Sequence, residues 1–401
     1  MEIQPEAKPK HESKKSTVIK KWIEPLLFTA VLAGLFTAFS IPMGMANAFG
    51  TMMETAYDLL VNTVLYIMAI AVLMGAISAL LSEFGVIDLL NRILSPLMKP
   101  IYGLPGAAAL GIVTTYLSDN PAILSLANDR GFRKYFKKYQ LYPMTNLGTA
   151  FGMGLIVSTF MLGLSTQMGT NLGGAVIIGN VGAITGSIIS TRLMLWQTKR
   201  MFGKDAECDQ LEPETAVERN NTANGTKANI GMRTMNALMQ GGKTGVDIGL
   251  SIIPGVLIIC TLVIMLTNEP STTTGEYTGS ANEGIAVIPW IADKLEFILK
   301  PLFGFTSGKS VAVPMTALGS AGAAIGVVPQ MIKDGVVTPH DISVFTAMCM
   351  CWSGYLSTHV SMMNALGRVD LSGKAIVCHT IGGLCAGVAA NWLFKLFELI
   401  L

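Results

Sequence analysis

Charge is scarce in this chain. Asp, Glu, Lys and Arg make up 13% of its 401 residues, roughly half the share of a soluble globular protein, and they gather in short stretches between long apolar runs. Hydrophobic residues reach 51% and mean hydropathy is +0.52. A soluble fold is excluded, and a chain threaded repeatedly through a lipid bilayer is expected. Cysteine is sparse as well. Cys260, Cys349, Cys351, Cys378 and Cys385 lie in apolar runs and Cys208 in a polar loop, so they read as small apolar residues rather than a disulfide framework. Cys349 and Cys351 lack the further His or Cys partners that zinc requires. No metal site and no cofactor are expected, apart from Na+ or H+ as a coupling ion. A complete nucleotide-binding loop is missing too: Gly308-Lys309-Ser310 supplies its end, but Phe303 stands where its first glycine belongs. With no nucleophile–base pair either, the chain does not read as an enzyme.

What is present is a series of apolar spans, at roughly 24–46, 58–82, 143–165, 172–196, 246–267, 340–363 and 375–398. Each is near the ~20 residues that cross the hydrocarbon of a bilayer as a helix. Residues 1–21 hold six lysines without an apolar period and read as a disordered cytoplasmic tail. Ala46-Asn47-Ala48 has the look of a signal cleavage site. The run from Pro25 to Ile41 is too long for a signal core, however, and the leader before it too long, so an uncleaved first helix is expected. Two other apolar regions are interrupted near their middles, Leu104 to Leu126 by Ser118-Asp119-Asn120-Pro121 and Val311 to Met331 by Gly319-Ser320-Ala321-Gly322. Proline and glycine there break a helix, and bare backbone in lipid is costly. Each region is preceded by an amphipathic stretch, 84–99 and 290–302, suited to the membrane interface.

The two halves repeat. Ile93-Leu94-Ser95-Pro96-Leu97 matches Ile298-Leu299-Lys300-Pro301-Leu302; Gly106, Thr114, Ser118 and Ile123 match Gly308, Thr316, Ser320 and Ile325; Val181-Gly182-Ala183-Ile184 matches Ile381-Gly382-Gly383-Leu384. Asp58 and Asp247 open corresponding spans. If both interrupted regions are hairpins that dip in and return, 1–21, 84–140, 192–245 and 364–374 share one side and carry 23 of the 28 basic residues. The positive-inside rule makes that side cytoplasmic. Lys294, Lys300, Lys309, Lys333 and Lys395 fall outside it. The halves then run in opposite directions, as in secondary transporters whose site lies where two breaks meet at the midplane. The expected fold is an all-α polytopic membrane protein with about seven spanning helices plus two re-entrant hairpins in an inverted-topology repeat. Its divisions are a tail, 1–21; an extra N-terminal helix and outer turn, 22–57; a first repeat, 58–196, with its hairpin at 104–128; a cytoplasmic loop, 197–245; and a second repeat, 246–401, with its hairpin at 307–333.

The stretch from Ile93 to Leu97, followed by Tyr102-Gly103-Leu104-Pro105-Gly106-Ala107-Ala108-Ala109, resembles the Gate, or nucleoside-recognition, domain of bacterial membrane proteins. That family places a Gly-Leu-Pro-Gly-like turn after a short amphipathic helix. In the second half Phe305-Thr306-Ser307-Gly308-Lys309-Ser310 stands at the turn, without its proline. The resemblance covers both halves and implies a hairpin-containing transporter fold akin to concentrative nucleoside transporters, in a bacterial inner membrane, with a dimer or trimer as the expected homo-oligomer. It also admits non-transporting relatives of the spore-maturation type and metal-ion permeation modules.

Candidate binding residues follow from the breaks. A hairpin tip presents helix ends, whose N–H groups attract anionic or accepting substrate groups and whose carbonyls hold cations. Ser118, Asp119 and Asn120 form the first tip. Asp119, the only carboxylate between Asp88 and Asp129, would bind a cation, relay a proton or meet a substrate amine, or else cap the helix that starts at Pro121. Gly319 and Ser320 at the second tip let a substrate approach the backbone, or pack a neighbouring helix. Asn146 and Thr149 punctuate the span after the first hairpin, with Ser158 and Thr159 beyond. Ser353, Ser357 and His359 punctuate the span after the second, among Trp352, Tyr355, Thr358 and Asn364. His359 and His379 are candidate proton carriers or interhelical hydrogen-bonding groups. Asn180 and Thr185 extend the polar trail, and Glu83 reads as a solvated interfacial acid. The basic run Phe132–Tyr139 reads as a membrane-surface anchor, not a nucleic-acid patch. Partners are therefore the lipid bilayer and a small-molecule solute, with no nucleic acid. The leading expectation is a secondary transporter for a small polar organic solute such as a nucleoside-like molecule or a dipeptide.

Overall fold

The computed structural model describes residues 14–118, 122–123, 130–208, 229–271 and 274–400. Among these, no strand forms and six helices are long and apolar enough to cross a bilayer. The chain is a multi-pass membrane protein. Helix α1 (Lys14–Met43) carries exposed Trp22, Leu26, Phe28 and Val31, the all-round apolar surface that lipid covers. It stops at Gly44, whose φ of 77° turns the chain, and α2 (Met45–Glu83) begins at once. Residues 45–57, expected as an outer turn, are helical because nothing in Met45–Asp58 breaks a helix after that glycine. After α2 come the amphipathic helix α3 (Val86–Tyr102) and the first hairpin limb α4 (Ala108–Leu117).

Two of the expected continuous spans are broken. Residues 143–165 form α5 (Pro143–Thr149) and α6 (Gly154–Gly163); residues 340–363 form α13 and α14, described below. At the first break Met153 takes a left-handed φ of 55°, which halts the helical hydrogen bonds until Gly154. Then α7 (Gly173–Phe202) closes the first repeat.

In the second repeat α8 (Ile230–Thr267) starts well before the expected 246. Its first turn is capped by Asn229 Oδ1, which accepts from Gly231 N at 3.4 Å. Part of the stretch expected as a loop is thus helix; residues 209–228 lie outside the described residues. Short amphipathic helices α9 (Val287–Lys294) and α10 (Glu296–Phe303) precede the second hairpin, α11 (Ala312–Ala317) and α12 (Ala321–Lys333). The broken span α13 (Pro339–Cys351) and α14 (Tyr355–Ala365) follows, with Gly354 left-handed at φ 60°, and α15 (Ser372–Ile400) ends the chain.

The inversion is visible in the helix pairs. Gly75 meets Gly241 and Ala71 meets Gly245, so α2 and α8 run antiparallel with backbones in contact. Gly182 meets Ala386 and Gly186 meets Gly382, so α7 and α15 do the same. Small residues permit this approach, and packing rather than hydrophobic exclusion drives helix association in lipid. Both long helices of the first pair widen into a π turn, Leu59–Val64 in α2 and Val256–Cys260 in α8, and the two turns touch. Pro254, which cannot donate an N–H, stands just before the second. The repeats also close their amphipathic helices alike. Arg192 of α7 donates to Pro100 O and Ile101 O (2.5 and 2.8 Å), and Asn391 of α15 donates to Pro301 O and Leu302 O (3.1 and 2.9 Å).

Outside the spans, the loop between α8 and α9 folds around one carboxylate. Glu283 is 1% exposed. It accepts hydrogen bonds from Ser271 Oγ (2.5 Å), Thr278 N (3.1 Å), Thr278 Oγ1 (2.9 Å) and Gly279 N (3.0 Å), and from Thr51 Oγ1 of α2 (3.3 Å). Burial alone would raise its pKa, but these donors outweigh burial and hold the carboxyl down to about 2.

Candidate functional site

The described part of each hairpin is seated against the break of the span that follows it. At the second tip Gly354 N donates to Ala317 O at 3.2 Å, and Ser320 caps α12, its Oγ accepting from Ala323 N at 3.2 Å. Gly319 packs on Ile259, within the π turn of α8, and Ser320 on Gly255, just before it. In the first hairpin Tyr116 lies flat against Gly154 and donates to Asn180 Oδ1 of α7 at 3.0 Å, with Ser158 Oγ 3.3 Å away. Asn180 Nδ2 donates to Ser158 Oγ at 2.9 Å. The returning limb is marked by Ile123, wholly buried between Gly111 and Gly148; Ile325, its repeat partner, is equally buried.

A cavity of about 600 Å³ opens between the first hairpin and the α2–α8 pair. Thr114 and Ser118 come from the hairpin, Ser78 and Ser82 from α2, and Asn236, Gln240 and Thr244 from one face of α8. Spacing of four residues puts the last three in a row along the helix. Glu83 and Arg233 also line it and pair with each other at 2.6 Å. Glu83, read as a solvated interfacial acid, has this partner, and both side chains stay partly exposed.

A second polar group is buried and does not line the cavity. Asn146 Nδ2 donates to Ser190 Oγ and to Ala375 O, both at 3.0 Å. Ser190 Oγ lies 2.9 Å from His379 Nδ1, and His379 Nε2 lies 2.5 Å from Cys351 O. Since a carbonyl can only accept, His379 carries its proton on Nε2, and Ser190 donates to Nδ1. The chain of donors therefore runs in one direction from α5 through α7 and α15 to the second break. His359 stacks beside it, ring centroids 4.7 Å apart, with Nδ1 on Tyr355 O at 2.9 Å and a buried Nε2 that has no partner. Thr149 Oγ1 touches Met362 Sδ at 4.0 Å.

Of the residues singled out in the sequence, Ser118 lines the cavity, and Gly319 and Ser320 form the second tip. Asn146, Thr149, Ser353 and His359 are buried around the breaks. Asp119 and Asn120 lie outside the described residues, as does the side chain of Ser357. The sequence reading passed over Asn236, Gln240 and Thr244, because they stand in a stretch assigned to a loop; their four-residue period was the available signal. The near-match to a nucleotide loop, Gly308-Lys309-Ser310, is a 3-10 turn in which Ser307 Oγ accepts from Lys309 N.

Residues 64–166 match the family described as Gate, nucleoside recognition. The match lies within the first repeat and ends before α7. Among solved structures the chain is similar in fold to the concentrative nucleoside transporter CNTnw. Two variants of CNTnw in an outward-facing state share 14% identity with it over 92% of this chain and 85% of theirs, at TM-scores of 0.50 and 0.52. CNTnw in an inward-facing substrate-bound state gives 0.51, also at 14% identity, over 95% of this chain and 86% of that one. No curated protein matches the chain.

Proposed function

We propose that this chain is a secondary active transporter for a small polar organic solute, nucleoside-like molecules first and dipeptides or related metabolites within the same class, driven by a Na+ or H+ gradient. The observation that carries the reading is the 600 Å³ cavity, whose described wall is lined largely by hydroxyls and amides from the first hairpin, α2 and α8. Its volume lies in the range that holds a drug-sized molecule. The charged residues among its described lining, Glu83 and Arg233, pair with each other, leaving hydroxyls and amides to meet a solute rich in hydroxyls, carbonyls and ring nitrogens.

The mechanism rests on the seating of hairpins against breaks. Helix ends at Ser118 and at Gly319–Ser320 offer backbone groups to a solute or an ion, and irregular backbone is tolerated at that depth only where it lines a cavity or is buried in protein. The hairpins with their broken spans move as one body against the tightly packed α2–α8 pair, which alternates access to the two sides. The distribution of basic residues supports a cytoplasmic tail, and the resemblance to the bacterial Gate family supports the bacterial inner membrane. A homo-oligomer completes the reading.

The test is uptake of nucleosides and dipeptides by purified protein in proteoliposomes, under inward Na+ or proton gradients. Saturable, gradient-dependent uptake is expected, with the ion dependence lost in Asp119→Asn. Folded protein that moves none of these solutes under either gradient would overturn the proposal and favour a non-transporting membrane assembly component.

A further inference from the structure

Lys243 and Asp247 stand exposed on α8, at a depth where lipid offers them no partner. They flank Gly245, which touches Ala71 of α2. Ala71 is the middle of Leu59–Ser82, a run of α2 without a charged residue. As a helix that run spans roughly 36 Å, enough to cross the hydrocarbon of a bilayer. Two residues of rise keep each of the two charges within about 3 Å of that middle level. Among the described residues neither makes an ion pair, not even with the other, although a four-residue spacing allows one. Neither is among the described residues that line the 600 Å³ cavity.

Their surroundings are an outer surface. Spacings of three and four place Met239, Lys243, Asp247, Leu250, Pro254 and Ile258 along one stripe of α8. The contacts with α2, through Gly241, Gly245 and Gly249, lie on the opposite side of the helix. Met239, Leu250 and Ile258 are all exposed, so two charges of opposite sign interrupt a stripe that is otherwise fit for lipid. A lysine can carry its ammonium along its stem towards an interface. An aspartate has a single methylene and cannot, and a bare carboxylate in hydrocarbon is costly.

A lipid tail has no counter-charge, and a headgroup does not reach this depth. A second copy of the chain brings both signs at the same height. Copies related by rotation about the membrane normal set their α8 stripes side by side, and Lys243 of one copy then lies one turn from Asp247 of its neighbour. That turn is about 6 Å of rise, which the lysine stem covers. We propose that this stripe of α8 is an interface between copies of the chain, closed by an ion pair between Lys243 of one copy and Asp247 of the next, with Met239 and Leu250 packed on either side of it. This names the surface for the homo-oligomer of the proposed function and rests on that part of the reading alone. The pair acts chiefly on register and partner choice, since like charges placed together in a dry contact are strongly repelled.

The experiment is copper-catalysed disulfide cross-linking of the full chain in native membranes. Leu250→Cys probes the stripe, and Ile177→Cys, on an exposed face of α7, is the control. Cross-linked oligomers are expected through Leu250→Cys and not through Ile177→Cys. Lys243→Asp or Asp247→Lys, each added to Leu250→Cys, should cut the cross-linked fraction about 10-fold. Co-expression of these two chains under different tags sets an acidic helix against a basic one and should restore a mixed oligomer. Pairing within one helix cannot produce that recovery, because each reversed chain carries two like charges. Association is read directly, so a chain that moves no solute leaves the interface standing, and a monomeric chain leaves transport standing. Cross-linking that persists unchanged in both reversed chains would overturn the interface. So would a wild-type chain that stays monomeric in the membrane, or oligomers trapped through Ile177→Cys and not through Leu250→Cys. If a reversed chain is degraded when made alone, co-expression decides: both chains recovered as a mixed oligomer support the interface, and both lost overturn it.

Discussion

Met153 and Gly354 hold the same left-handed backbone at matched points of the two repeats, with φ of 55° and 60°. One is a methionine in a conformation that disfavours a side chain, and the other is a glycine. Met153 is 4% exposed in the main core, so Met153→Gly relieves about 1 kcal/mol of strain but should be destabilising on balance, by about 1–3 kcal/mol, because it leaves a cavity. Gly354→Ala should cost about 1–2 kcal/mol in backbone strain, and its Cβ would also press on Gly319 O at 3.1 Å. Melting curves in detergent would check both.

Gly241→Leu should be far more damaging than an equal substitution on the lipid face. A Cβ at Gly241 overlaps the backbone of Gly75, and overpacking of this kind costs about 1–3 kcal/mol or more. Gly34 of α1 has nothing within 4 Å of the same position, so Gly34→Leu should stay within about 0.5 kcal/mol of wild type. Equal losses in the two variants would contradict the α2–α8 contact.

Glu283 links stability to pH. Its folded pKa, about 2, lies below the ordinary 4.5, so its contribution is fully present above 4.5 and disappears as pH falls from there towards 2. Glu283→Gln should cost about 1.5–3 kcal/mol near neutral pH, as hydrogen bonds to a charged group are lost. Wild-type and variant melting temperatures should converge on acidification. A constant gap down to the lowest pH would refute the carboxylate's role.

Asn146→Asp tests the direction of the buried donor chain. The new oxygen would face Ala375 O across the 3.0 Å now spanned by an N–H. Asn146→Ala should cost about 1–3 kcal/mol for the groups it strands, and Asn146→Asp should cost more. Comparison of the two melts reads the difference directly.

In the cavity, Gln240→Ala should raise KM for the transported solute about 10-fold and leave stability within about 0.5 kcal/mol of wild type. Gln240 lines the cavity, and among the described residues its truncation strands no side-chain partner. Initial uptake rates over a solute series provide the check.

The multi-pass helical fold and the inverted repeat were legible because lipid imposes long apolar runs and because matched residues keep matched jobs. Thr114 and Thr316 both bond back to the carbonyl four residues earlier, each at 2.8 Å, as their alignment implied. The breaks at Met153 and Gly354 were not legible. Glycines and hydroxyl residues near them are common in membrane helices too, and the turn is held by contacts with the hairpins, which no local pattern announces. The polar face of α8 was hidden for a related reason: Asn236, Gln240 and Thr244 precede the apolar run, so composition resembled a loop although the four-residue period was helical. Asn146 stood out as a polar residue in an apolar span, but its directed path through Ser190 and His379 depends on three helices meeting.

The glycine contacts also bear on how the molecule is made. Each close helix pair takes one member from each repeat: Gly75 of the first half needs Gly241 of the second, and Gly186 needs Gly382. A nascent first half thus enters the membrane with two grooved faces that only the later half can fill. Neither half is a folding unit by itself, and a gene cut within 209–228 should yield two fragments that are unstable when made singly and recover one another when made together.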